Sequence, residues 1–137
     1  MLNTGRILMT LATAIYGLVP PIVDLGATHA LHPDWTPHAR MHMVWLLVTM
    51  SSMAVLALYF IWRHADRKFG VRMGGLLGLC AFGGFFVSAV TAPLYGGSLH
   101  DQGGVPEVAG IIDANLLGFG LAIVLLLIGW RAARHAA

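Results

Sequence analysis

MVWLLVTMSSMAVLALYFIW, residues 43–62, runs for 20 positions without a charged side chain. At a rise of about 1.5 Å per residue such a helix is about 30 Å long, the thickness of a bilayer's hydrocarbon core. Lipid offers no partner to an open backbone N–H or C=O, so a run this apolar is read as a spanning helix. Three more uncharged runs surround it, 7–23, 73–95 and 114–130, of 17, 23 and 17 residues. With their flanks, each is long enough to cross. The expectation is an all-α integral membrane four-helix bundle, one domain over 1–137, with spans near 6–26, 37–63, 71–95 and 107–130.

The composition agrees with that reading. Of 137 residues 58% are hydrophobic and only 10% charged, against about 25% charged in soluble domains, and the mean hydropathy is +0.77. A soluble globular domain is excluded, and the links are too short for a nucleotide-binding domain. The net charge of +2 does not point to nucleic acid once the charges are placed. Arg6 precedes span one, Arg63, Arg67, Lys68 and Arg72 fill the second link, and Arg131 and Arg134 follow span four, leaving only Arg40 on the other side. The positive-inside rule therefore puts both termini in the cytoplasm, an N-in/C-in bundle of a bacterial inner membrane, with links one and three on the non-cytoplasmic side. The basic residues serve topology first and contact with anionic membrane lipids second. A single Cys80 inside span three supplies neither a disulfide framework nor a thiolate metal site.

Span one is expected to be a retained helix, its apolar run being longer than that of a signal peptide. Pro20-Pro21 predicts a kink or broken turn near its outer end, with Asp24 just beyond. In span three, Gly74 with Gly78, and Gly84, Ser88 and Ala92, are small residues four apart, the spacing of close helix packing in lipid. Trp35, Trp62, Tyr95 and Trp130 fall where an interfacial aromatic belt belongs.

Five of the seven His and five of the six carboxylates fall on the outer face of the membrane, in links one and three and the helix turns next to them. Thr36-Pro37 is a helix start, Thr as N-cap and Pro at the first helical position. His38 and His42 are then i and i+4 on one face and can share a metal ion. His29, His32 and His100 are the further candidate ligands; without thiolate, the set suits zinc, iron, manganese or copper alike. If Pro106 opens the fourth helix, Asp113 lies about two turns inside it, where an ionisable group must face the bundle interior or water. Asp113, Glu107 and Asp24 are the candidate proton-transfer groups. The plainer alternative pairs Asp113 with Arg40. Haem ligation is disfavoured, because no intramembrane His faces another from a second span.

The run from His32 through Pro33, Trp35, His38, Ala39 and His42 resembles a motif of a poorly characterised family of small four-span membrane proteins, written Pro-x-Trp-x-x-His-Ala-x-x-x-His. Here the closing His42 comes one position nearer. The resemblance implies a family and a span plan but no activity. DoxX-like and sterol-isomerase-like bundles share the size, yet none of their functional residues maps onto this chain. Two functions remain open. One is a membrane protein with an outward-facing His and carboxylate site, metal-bearing, acting on a lipid-like or apolar substrate. The other is a non-catalytic accessory subunit of a larger membrane complex, or a self-associating bundle.

Overall fold

The structure, a computed structural model, describes residues 2–100 and 107–136. It is all-helical, with no strand among the described residues. Helix α1 spans Leu2–Asp24, α2 Pro37–Arg63, α3 Arg67–Thr91 and α4 Ala114–Ala136; a 3-10 turn, Ala92–Tyr95, extends α3. All four α-helices are long and apolar enough to cross a membrane. They run alternately up and down. In the bundle α1 packs on α2 and α4, α3 packs on the same two, and a narrow diagonal contact joins α1 to α3.

The helix starts follow local chemistry. Thr36 caps α2, its hydroxyl accepting from the Ala39 N–H at 3.2 Å, and Pro37 stands in the first turn, where its missing donor costs nothing. Asp66 caps α3 by accepting from the Phe69 N–H at 3.0 Å. Asp113 does the same for α4, its Oδ1 accepting from Asn115 N at 2.8 Å and Leu116 N at 3.2 Å. The fourth helix therefore begins at Ala114 and not at 107: Glu107 is non-helical, and 108–112 form a tight reversal in which Val108 N donates to the Ile112 carbonyl at 2.8 Å. Ala109 and Gly110 turn through positive φ there, 58° and 66°, which no helix allows. Pro106, the expected helix opener, lies outside the described residues.

Pro20 and Pro21 do not break α1, which continues to Asp24. Pro21 has no N–H for the Gly17 carbonyl one turn back. Ser51 of α2 supplies the donor instead, its hydroxyl 2.9 Å from that carbonyl.

The core sits toward the terminal end of the bundle, around Met9, Tyr16, Phe82, Ala122 and Leu126. The tightest approach joins α1 to α4: a Cβ placed on Gly5 would stand 2.7 Å from the Gly129 carbonyl, and one on Gly129 would stand 2.7 Å from the Gly5 carbonyl. At the same end Arg6 is buried, 5% exposed, and ties α1 to the end of α2. Its Nε donates to the Ile61 carbonyl at 2.7 Å and its Nη2 to that of Trp62 at 3.0 Å, with the guanidinium 4.1 Å above the Trp62 ring. These carbonyls have no partner within the last turn of α2, and a cation there also meets the negative end of the helix. Arg6 thus has a structural duty that its place before span one concealed.

Candidate functional site

Helices α3 and α4 pack closely where Gly75 meets Trp130 and Gly78 meets Leu126, and Phe85 stacks on Phe119 with ring centroids 4.4 Å apart. Beyond that layer, away from the termini, the helices part. Gly84 and Gly118 have no heavy atom within 4 Å of a built Cβ. A cavity of about 780 Å³ opens there among all four helices. The small series at Gly84, Ser88 and Ala92, expected to bring helices together, lines this cavity instead. Its wall is apolar, with Val19, Leu47, Met50, Met53 and Phe85 among it, and a few polar groups stand out, Thr49, Ser88 and Asn115 among them. Methionines are unbranched and polarisable, so such a wall can adapt to an irregular apolar guest.

Asp24 and His29 stand in the wall at its outer end. The chain turns back over the end of α1, with the His29 N–H bonded to the Gly26 carbonyl at 3.2 Å and Ala30 N to the Asp24 carbonyl at 2.9 Å. That turn sets His29 Nδ1 at 3.7 Å from Asp24 Oδ1 and 3.0 Å from the Thr28 hydroxyl. Trp35 lies edge-on to His29 at 6.3 Å between centroids. Nδ1 faces both neighbours, which leaves Nε2 as the ring atom to meet a ligand.

The remaining expected site residues are not brought to this point. Arg40 donates to the carbonyls of His32 at 2.9 Å and Pro33 at 3.3 Å, holding link one against α2, and forms no ion pair with Asp113. His32 Nδ1 accepts from the Asp34 N–H at 3.2 Å. His100 is exposed, its N–H donating to Ser98 Oγ at 3.2 Å, and Glu107 is exposed beside the 108–112 reversal. Asp113 is half-buried, but as the cap of α4 it stands at the helix end and not two turns inside; its neighbours Ala114 and Asn115 reach the cavity. The physical reason is the later helix start: with 108–112 reversed, the chain reaches Asp113 only as α4 begins. Asp101 lies outside the described residues.

His38 and His42 do meet, Nε2 to Nε2 at 3.0 Å, with rings at 89°. They lie exposed in a shallow groove with Asp34, Trp35 and Leu46; Met43 and Leu46 separate that groove from the cavity. No set of three His, Cys, Asp or Glu close enough to hold one metal ion occurs among the described residues. A single centre drawing on His29, His32, His38, His42 and His100 together is therefore not formed by them. Sequence reading missed the cavity wall itself, because Gly84 and Gly118 look the same in a sequence whether a neighbouring helix or a void lies opposite.

A family model described as a family of unknown function, DUF6640, matches residues 8–109. The chain belongs to the DUF6640 family. The matched region takes in most of α1, all of α2 and α3 and link one, and with them Asp24, His29, His38, His42 and most of the cavity wall. No curated protein and no solved structure matches the chain.

Proposed function

We propose that this DUF6640 member takes a lipid-like or otherwise apolar molecule into the cavity between its four helices, with Asp24 and His29 at the mouth as the groups that bind its polar end and exchange protons with it. The observation that carries this reading is the cavity itself. Its volume of about 780 Å³ falls within the roughly 300–1,000 Å³ of small-molecule sites, which pair a mostly apolar wall with a few convergent polar groups. The wall supports a hydrocarbon guest, and the carboxylate beside an imidazole supports acid–base work at one end of it. The Lys and Arg distribution supports the orientation in which that mouth faces the non-cytoplasmic side.

A long-chain alcohol carrying a diazirine tests the reading in lipid nanodiscs. Labelling at Met50, Met53 or Phe85, abolished by Gly118→Leu, is the expected result, since the leucine would occupy open space. Labelling confined to lipid-facing positions such as Val55 and Val90, unaltered by Gly118→Leu, would show an unoccupied cavity and favour the accessory-subunit role.

A further inference from the structure

The His38 and His42 pair is separate from the cavity mouth. The two residues occupy the first turn and a half of α2, whose 27 residues make it about 40 Å long, some 10 Å more than the hydrocarbon core. The uncharged run 43–62 already fills that core. The pair therefore stands at headgroup depth, where water reaches it; both residues are exposed. The Trp45 ring lies beside His42, tilted by 32°, with ring centroids 5.7 Å apart.

Helix geometry accounts for the meeting of the rings, because i and i+4 side chains lie one above the other. The distance between the nitrogens sets what they can hold. An ion about 2.0–2.1 Å from each of two nitrogens that stand 3.0 Å apart subtends about 94° between them. That is close to the cis angle of a tetragonal or octahedral shell, whereas a tetrahedral zinc ion, at about 109°, would need the nitrogens to part by some 0.3–0.4 Å.

From this geometry we propose that His38 and His42 chelate one divalent first-row transition-metal ion through their two Nε2 atoms, in a tetragonal site completed by water. Two imidazoles without thiolate, set at a cis angle, rank copper(II) first, then nickel(II), with zinc(II) weaker. Both rings must ligate as neutral imidazoles, so the hydrogen bond between them in the metal-free protein is replaced by two bonds to the ion. The absence of a third protein ligand among the described residues makes this an open site, with coordination positions left to exchangeable water. The proposal does not depend on the cavity reading, since neither residue pair shares a side chain with the other.

Titration of copper(II) into the full-length chain in nanodiscs, free of any affinity tag, provides the test. One saturable equivalent is expected, with two nitrogen couplings in the electron paramagnetic resonance spectrum. His38→Ala and His42→Ala should each weaken binding about ten-fold or more, since either removes the chelate, while His29→Ala and His32→Ala should leave it unchanged. His42→Gln serves where His42→Ala does not fold, and circular dichroism checks each variant. No saturable binding, a nitrogen count other than two, or binding indifferent to His38→Ala and His42→Ala would overturn the proposal.

Discussion

At the scale of the residue, Asp113 and Arg6 each take on a structural contact that their positions in the sequence do not suggest. An aspartate close to a spanning segment reads as a functional carboxylate, and an arginine before the first span reads as a topology marker. Asp113 Oδ1 in fact accepts from two N–H groups at the start of α4, and Arg6 closes the end of α2 through two carbonyls. The cap makes a sharp prediction. Asparagine caps as well as aspartate, so Asp113→Asn should leave thermal stability nearly unchanged, whereas Asp113→Ala should cost about 1 kcal/mol. Thermal unfolding in detergent distinguishes them; equal large losses from both would mean that the charge, and not the cap, is what the fold uses. Asp24 and His29 were both legible as candidates, but their pairing was not, because it depends on the turn that brings Ala30 back to the Asp24 carbonyl. Pairing of His38 with His42 was legible, since α-helical spacing within one element dictates it.

At the scale of the element, glycines divide by what faces them. Those at 5 and 129 let the backbones of α1 and α4 touch, while Gly83 has no neighbour within 4 Å of a built Cβ. Gly129→Ala should therefore destabilise the bundle, its methyl lying 2.7 Å from a carbonyl and 2.9 Å from the Leu8 Cβ, by about 1–3 kcal/mol as overpacked cores do. Gly83→Ala should be neutral or stabilising by about 0.5–1 kcal/mol, because alanine loses less backbone entropy in a helix. Unfolding of the two variants side by side checks the contrast; the same sign for both would contradict the packing described. Existence and type of the four helices could be read from 17 to 23 uncharged residues in a row. The start of α4 could not, because a proline signal at 106 was weighed without the reversal at 108–112, where Ala109 adopts a φ of 58° that its residue type does not announce.

At the scale of the molecule, the bundle is tight at the end that carries both termini and open at the other. Glycine contacts and the buried Arg6 close the first end; helix divergence above the Phe85–Phe119 stack opens the second. Seven of its eight cationic side chains stand at the closed end, so the positive-inside rule predicts that this end faces the cytoplasm. In a Cys80→Ser background, Ala65→Cys should resist and Gly97→Cys should accept a membrane-impermeant maleimide added to intact cells. Labelling of Ala65→Cys from outside would reverse the orientation and place the cavity mouth on the cytoplasmic side.

What the amino-acid order by itself determined is whatever depends on near neighbours along the chain: the spanning runs, the cap at Thr36, and the facing of His38 and His42. Each is settled within one or two helical turns, where spacing alone sets geometry. Only the tertiary structure decided which small residues meet a helix and which meet a void, that Ser51 answers the carbonyl left open by Pro21, and that Asp24 and His29 share a mouth while His32 and His100 do not. Those outcomes join residues from different helices or across a turn, and they depend on how four rods of similar composition tilt and part. Lipid-facing, partner-facing and cavity-facing positions are all apolar, so no pattern of hydrophobicity distinguishes them before the helices are packed.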